Sequence, residues 1–126
     1  MKLKISILIM EALSHFDPDS NDMIEILVDE YGKLPSRYVS TKTIEETIQE
    51  LYSQYSTLEY RWASPVLCDI RHERGSTESE VLFRVLVPDG CINVKSGRLV
   101  QPHTLELENF YEQAIIGQPR SAGQQF

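Results

Sequence analysis

Two acidic side chains, Glu46 and Glu50, lie four residues apart in a glutamate-rich segment. Residues with this spacing share one side of an α-helix, so both carboxylates could contact the same ion. Carboxylate oxygens suit Mg²⁺ and Mn²⁺, which can neutralise a phosphate and activate a water molecule. If the chain is an enzyme, we expect Glu50 to be catalytic and both glutamates to hold the metal. The interpretation that we favour instead has Glu46 capping a helix and Glu50 solvated.

Two residue pairs could bind an anionic or aromatic ligand. Arg61 and Trp62 are adjacent, and an arginine beside an aromatic ring can hold a phosphate and stack a base. Arg37 and Tyr38 lie in a segment without a regular period, and loops often carry ligand contacts. We predict these four side chains as ligand-binding candidates. The competing interpretation packs Trp62 in the core and leaves both arginines solvated.

Two segments have the patterns of amphipathic helices. Thr43 and Glu46 have the spacing of a capping box, in which each side chain accepts a hydrogen bond from the other residue's backbone N–H. Apolar residues then recur on one side of the predicted helix: Ile44, Ile48, Leu51 and Tyr55. A second helix is predicted after Pro102, capped by Thr104, with an apolar side formed by Leu107, Phe110, Tyr111, Ala114 and Ile115.

Five stretches have the β-branched and aliphatic residues typical of strands: Lys2 to Leu13, Met23 to Val28, Tyr60 to Ile70, Glu80 to Val87 and Arg98 to Val100. Pro65 places the third at an edge or a bulge, and the apolar run of the fourth is typical of a central strand. Asp89-Gly90 predicts a tight hairpin turn, with Cys91 to Val94 as the returning strand. Lys33 to Thr41 is predicted as a loop. One helix between strands and one after them indicate an α/β fold, a mixed sheet with a helix on each face in an α/β/α sandwich.

Three segments in this order resemble the Nudix hydrolase superfamily. Ile26 to Pro35 is similar to the strand entering the Nudix loop, Thr43 to Leu51 to the start of the Nudix helix, and Arg98 to Glu106 to the segment before the C-terminal helix. The resemblance implies a Nudix-like fold. For an intact family member it also implies a divalent metal, held by several carboxylates of one helix, and hydrolysis of nucleoside diphosphate derivatives.

The family's catalytic motif is mostly absent from this chain. Aligned on Glu50 and Leu51, the other motif positions hold residues that lack the required charge or freedom: Pro35, Thr41, Gln49, Ser53, Gln54 and Ser56. Ser53 and Gln54 stand where the family has its metal-binding glutamate pair. A divalent ion bound by one or two carboxylates stays hydrated and weakly held. We therefore predict that ordinary Nudix hydrolysis is absent or very weak.

The length of 126 residues suits one domain, which we predict over residues 1–117, followed by a polar tail over 118–126. The net charge of −7 and the scattered arginines disfavour nucleic acid as a partner. The apolar run from Ile5 to Met10 is too short to cross a membrane and is predicted as a buried strand. Cys68 and Cys91 are predicted as reduced core thiols, which indicates a reducing, cytoplasmic location.

Three functions are compatible with these residues. The missing glutamate pair favours a non-catalytic Nudix-like module that binds a nucleotide derivative or a protein partner. The second is an active Nudix-type pyrophosphohydrolase that uses Mg²⁺ or Mn²⁺ with displaced carboxylates such as Glu45, Glu46 or Glu50. The third is a structural or assembly subunit without a small ligand. Only the second function requires a metal cofactor.

Overall fold

The described residues fold into a mixed six-stranded sheet with two α-helices. The computed structural model describes residues 2–12, 25–88 and 90–116. The strands are β1 (Lys2–Ala12), β2 (Ile26–Val28), β3 (Ser36–Tyr38), β4 (Ser64–His72), β5 (Glu78–Pro88) and β6 (Arg98–Val100). The α-helices are α1 (Ile44–Tyr55) and α2 (Asn109–Ile116), and short 3₁₀ turns cover Tyr60–Trp62 and Pro102–Thr104.

The sheet is built around β1. This strand pairs in parallel with β5 along its whole length, and its other edge pairs antiparallel with β3 and then with β2. The order across the sheet is β4-β5-β1-β2-β6, with β3 beside the first half of β1. Because β1 has neighbours on both edges and is covered on both faces, its residues from Ile5 to Met10 are all buried.

Each face of the sheet packs against one helix, since successive residues of a strand point to opposite faces. One face joins alternate residues of β1 to the apolar side of α1: Ile5, Ile7, Ile9, Ile48, Leu51 and Tyr52. The other face joins the intervening residues to α2: Leu8, Met10, Leu82, Ala114 and Ile115. We call these the α1 face and the α2 face. The predicted α/β/α sandwich is thus confirmed.

The start of α1 confirms the predicted capping box. The Glu46 N–H donates to Thr43 Oγ1 at 3.1 Å, and the Thr43 N–H donates to Glu46 Oε1 at 3.0 Å. The backbone hydrogen bond from Thr43 is the main reason that the pKa of Glu46 is lowered. The carboxylate of Glu46 is therefore used to hold the helix end.

The predictions for the first half of the chain need two corrections. Lys33 to Thr41 is not only a loop, because it contains β3, which pairs with β1 and is too short to show a period. The segment Tyr60–Trp62 is a 3₁₀ turn rather than strand, and β4 begins only at Ser64. The edge position suggested by Pro65 is confirmed, since β4 is the outermost strand and has an irregularity between Leu67 and Asp69.

The second half also differs from the prediction in two places. Cys91 to Val94 forms no returning strand, because only Val94 pairs, in an isolated bridge with Ser56. The helix predicted after Thr104 begins five residues later at Asn109, and Thr104 lies in a 3₁₀ turn instead. The predicted apolar side of this second helix is nevertheless the side that packs against the sheet. Asp89 and the predicted tail over 118–126 lie outside the described residues.

Both cysteines are free and half-buried, and Cys68 packs against the α2-face cluster. Within residues 2–12, 25–88 and 90–116, no helix has the length and apolar character needed to cross a membrane. The reducing, cytoplasmic location stays a prediction.

Candidate functional site: the glutamate helix and a polar cleft

Glu50, the carboxylate predicted to be catalytic, is held by two cations on the α1 face. Arg37 Nη1 donates to Glu50 Oε1 at 3.2 Å, and the Lys42 ammonium forms an ion pair with the other carboxylate oxygen. The pairing of β3 with β1 places Arg37 opposite Ile5 and so turns it towards α1. Both oxygens of Glu50 therefore have a cationic partner before any ligand arrives.

The two predicted metal ligands do not act together in this arrangement. Glu46 accepts hydrogen bonds from Thr43 at the helix end, whereas Glu50 faces Arg37 and Lys42. Across the described part of the chain, no group of three or more His, Cys, Asp or Glu side chains could hold a metal ion. A dication at Glu50 would have to displace two positive charges. Metal binding by Glu46 and Glu50 in an active enzyme stays a prediction.

Arg37 and Tyr38 are adjacent in sequence but point to opposite faces of the sheet. Arg37 contacts α1, whereas the Tyr38 hydroxyl donates to Glu78 Oε1 at 3.0 Å. Tyr38 lies opposite Lys4 in the β1–β3 pair, and the Lys2 ammonium lies over its ring. This division follows from the strand conformation of β3, which sends successive side chains in opposite directions. One ligand therefore cannot be held by both side chains on one face.

Arg61 and Trp62 lie on a different side of α1 from Arg37. The neighbouring Tyr60 hydroxyl donates to Glu45 Oε1 at 3.1 Å, and positions five residues apart on a helix are separated by about 140° around its axis. The Arg61 guanidinium lies over the Trp62 ring, 5.1 Å from its centroid. Trp62 is 55% exposed, so the interpretation that it packs in the core is wrong. The four candidates therefore lie in three separate places: Arg37, Tyr38, and the pair Arg61 and Trp62. Ligand binding at each place stays a prediction.

A buried network that the sequence analysis missed centres on Glu80, on the α2 face. Its carboxylate accepts hydrogen bonds from Ser6 Oγ at 2.5 Å and from the Tyr111 hydroxyl at 2.7 Å. Arg71 donates to the same carboxylate from Nε at 3.1 Å and from Nη2 at 2.9 Å. Ser6 comes from β1, Arg71 from its position opposite Glu80 on β4, and Tyr111 from α2. The network therefore ties three strands to the second helix.

The charges of this network stabilise one another. Burial acts to raise the pKa of Glu80, but hydrogen bonds from Ser6, Tyr111 and Arg71 outweigh it and leave the pKa lowered. Burial, together with the hydrogen bond to Glu80, raises the pKa of Tyr111. Arg71 also donates to Glu108 Oε2 at 2.9 Å, and this bond is the main reason that the pKa of Glu108 is lowered. At neutral pH the glutamates are anionic and the tyrosine is a neutral donor.

A cleft of about 270 Å³ opens beside the network. Its lining combines ammonium, hydroxyl and carboxylate groups with apolar walls, and includes Lys4, Ser6, Lys33, Leu34, Ser36, Glu106 and Tyr111. A second cavity of about 140 Å³ lies against Arg71 and Glu80, and Lys4 lines both cavities. The positions of these residues follow from the fold, because the even-numbered residues of β1 point to the α2 face beside β3 and the segment that enters α2.

Two ammonium groups, those of Lys4 and Lys33, line the cleft. The ion pairs between described residues involve Arg37, Lys42, Arg61 and Arg71, and neither Lys4 nor Lys33 takes part in them. The charge of Lys4 contributes to the lowered pKa values of Glu80 and Glu108, so Lys4 lies within electrostatic reach of both. Unpaired ammonium groups next to hydroxyls can bind a phosphate or carboxylate.

No family model and no curated protein matches the sequence. Among solved structures, a mutT/nudix family protein from Listeria innocua is similar, with 12% sequence identity and a TM-score of 0.46. The match covers 68% of this chain and 64% of that chain, less than two thirds of the length of the Listeria protein. A similarity of this size establishes neither family nor activity for this chain.

Proposed function

We propose that this chain is a non-catalytic binding module that takes a nucleotide derivative in the α2-face cleft. The observation that carries the proposal is the lining of that cleft. It brings Lys4, which forms no ion pair with another described residue, together with the hydroxyls of Ser6 and Ser36 and the carboxylates of Glu106 and Glu108. A phosphorylated heterocycle needs this combination of a cation and nearby acceptors.

The phosphate of the ligand would bind at Lys4 and Lys33. Lys4 is half-buried on β1, whereas Lys33 is exposed at the rim. A charge at a partly buried position interacts more strongly than one in open water, because the surrounding protein is less polarisable than the solvent. Lys4 is therefore expected to contribute most of the electrostatic attraction, and Lys33 a smaller part that depends on salt.

The heterocycle would lie against the apolar wall of the cleft. Leu34 is buried beneath the cleft and Tyr111 offers a ring at its side, while Glu106 can accept hydrogen bonds from ring N–H or amino groups. The volume lies near the lower end for ligand pockets, which begin at about 300 Å³. It suits one base or one nucleoside monophosphate rather than an entire dinucleotide.

Two features of the α1 face support the absence of metal-dependent hydrolysis. Glu50 already binds Arg37 and Lys42, so a dication would meet positive charge there. Glu50 also lies on α1, on the opposite side of the sheet from the cleft. A fixed metal normally supplies much of the charge stabilisation in pyrophosphate cleavage. The residues around Glu50 are expected to bind such a metal only weakly.

Calorimetric titration of the purified chain with nucleoside mono- and diphosphates tests the binding. We expect saturable binding by the native chain and affinity reduced by at least about ten-fold in Lys4→Met, which corresponds to about 1.4 kcal/mol. Lys2→Met is the matched control, because Lys2 lies on the same strand and face but not in the cleft lining. Equal affinities for Lys4→Met and the native chain, or no binding of any nucleotide, would contradict the proposal.

Incubation with Mg²⁺ or Mn²⁺ and a panel of dinucleoside polyphosphates and nucleotide sugars tests the catalytic part. We expect no turnover above the rate without protein. Turnover that disappears in Glu50→Gln would show that this carboxylate holds a working metal, and the non-catalytic assignment would then be wrong.

A further inference from the structure

The outer edge of β4 is open. β4 pairs with β5 on one side, and no other strand of the described residues pairs with it. At nine residues it is a long edge strand. An open edge offers unpaired backbone N–H and C=O groups to another strand, above all when apolar side chains accompany it.

Two large apolar side chains of β4 are uncovered on the same face. Leu67 is 53% exposed and Ile70 is 58% exposed. They lie opposite Phe83 and Val81 of β5, which both pack on the α1 face. Residues three apart normally point to opposite faces of a strand, but the irregularity between Leu67 and Asp69 adds one residue and returns both to one side. They stay uncovered because α1 lies over β1 and β3.

We propose that β4 pairs antiparallel with β4 of a second copy of this chain, about a two-fold axis between Cys68 and Asp69. In this register Leu67 of each copy lies opposite Ile70 of the other. Opposite residues of an antiparallel pair point to the same face, so two apolar cross-strand pairs lie side by side. The added residue occurs in both strands, so the two copies remain in step. Such a self-complementary contact is what a two-fold dimer requires.

Neighbouring registers lack this complementarity. A two-fold axis through Asp69 would set the two Asp69 carboxylates opposite each other, and an axis through Cys68 would set Leu67 opposite Asp69. Like charges directly opposite are destabilising, and an apolar side chain opposite a carboxylate contributes no packing. The exposed apolar pattern therefore selects one register.

The polar groups of β4 are compatible with the pairing. Arg71 is turned inward to Glu80 and Glu108. The Ile70 N–H donates to the Asp69 carboxylate at 2.8 Å in the single chain, and in the dimer it would donate to a carbonyl of the second strand. In this register Pro65 lies opposite His72 of the other copy, and because proline has no N–H to donate, regular backbone pairing extends over the six residues from Val66 to Arg71.

Sedimentation velocity over a concentration series tests the proposal. The native chain is expected to change from the mass of one chain to that of two. Leu67→Lys combined with Ile70→Lys places lysines opposite each other twice and is expected to weaken the dimer by at least about ten-fold. Leu67→Lys combined with Ile70→Glu places opposite charges together twice and is expected to restore it. Val94→Lys, at a position that is 42% exposed and lies outside the strands, should leave the dimer unchanged.

Circular dichroism checks that each variant is folded. Folding is expected, because the side chains of Leu67 and Ile70 are both more than half exposed. If the double lysine variant does not fold, Ile70→Lys alone replaces both apolar cross-strand pairs by lysine opposite leucine and is also expected to weaken the dimer. A native chain that stays monomeric at every concentration overturns the proposal. It does so even if β4 instead pairs with an extended segment of another protein. Equal dimerisation of the two double variants also overturns it, because it shows that Leu67 and Ile70 do not face each other.

Discussion

Each face of the sheet holds a glutamate that is paired with a cation, and the two glutamates differ in burial. The Glu50 side chain is 41% exposed beside Arg37 and Lys42, whereas that of Glu80 is 8% exposed beside Arg71. Exposed ion pairs contribute about 0–1 kcal/mol, because water and salt screen them. Removing one member of a buried pair costs far more, because the remaining groups lose both solvent and partner. The ion pairs of Glu50 therefore neutralise an exposed surface, whereas the contacts of Glu80 join β1, β4, β5 and α2.

Glu80→Gln is expected to have the largest effect on stability. The substitution keeps the shape but removes the charge, so Arg71 faces a neutral amide and the donors from Ser6 and Tyr111 lose part of their acceptor. We expect the free energy of unfolding to fall by about 3 kcal/mol. Urea denaturation measures it, with Glu73→Gln in the exposed turn before β5 as the control. A loss no greater than that of Glu73→Gln would remove the contrast between the two faces.

Acid should weaken the same network. The pKa values of Glu80 and Glu108 are lowered in the folded chain, whereas an unfolded glutamate has a pKa of about 4.3. A carboxylate with a depressed folded pKa stabilises the protein above its unfolded pKa and loses that effect as the pH falls through the folded value. The stability difference between the native chain and Glu80→Gln should therefore be full at neutral pH and shrink below about pH 4. A difference that stays constant down to acid unfolding would contradict the assignment of an ionised Glu80.

Glu50→Gln should have the smallest effect. Arg37 and Lys42 can both turn to solvent when the charge is lost, so we expect a change of at most about 0.5 kcal/mol in unfolding free energy. The change should diminish further in high salt. Thermal melting at two ionic strengths checks both points. A loss comparable with that of Glu80→Gln would mean that the two glutamates are equivalent after all.

Elements with local signals were predicted from the sequence, and elements that depend on distant partners were not. The capping box of Thr43 and Glu46 spans four residues, and the apolar side of α1 repeats within the twelve residues of the helix. By contrast, β3 has three residues and no period of its own, and it is a strand only because β1 lies beside it. Cys91 to Val94 shows the opposite error, because a strand was predicted there and none forms. Its turn signal is strong, but both edges of β5 are already taken by β4 and β1.

The same limit applies to the candidate site. Glu50 and Arg37 were each identified, but their contact joins residues thirteen positions apart on different elements. The hydrogen bonds of Glu80 reach Ser6 across 74 positions and Tyr111 across 31. No periodic pattern links residues at such separations. The available signal was a serine within the apolar run of β1 and a glutamate leading into another buried strand.

The alternation of β1 has a consequence for how this protein can change. Its odd-numbered residues fill the core beneath α1, and its even-numbered residues include Lys4 and Ser6 at the cleft. Loss or gain of one residue in this strand would turn isoleucines towards the cleft and drive an ammonium and a hydroxyl under the helix. A point substitution can alter the core beneath α1 or the cleft separately, but a change in the length of β1 disrupts both at once. We therefore expect insertions and deletions to be tolerated in the connections and rejected within β1.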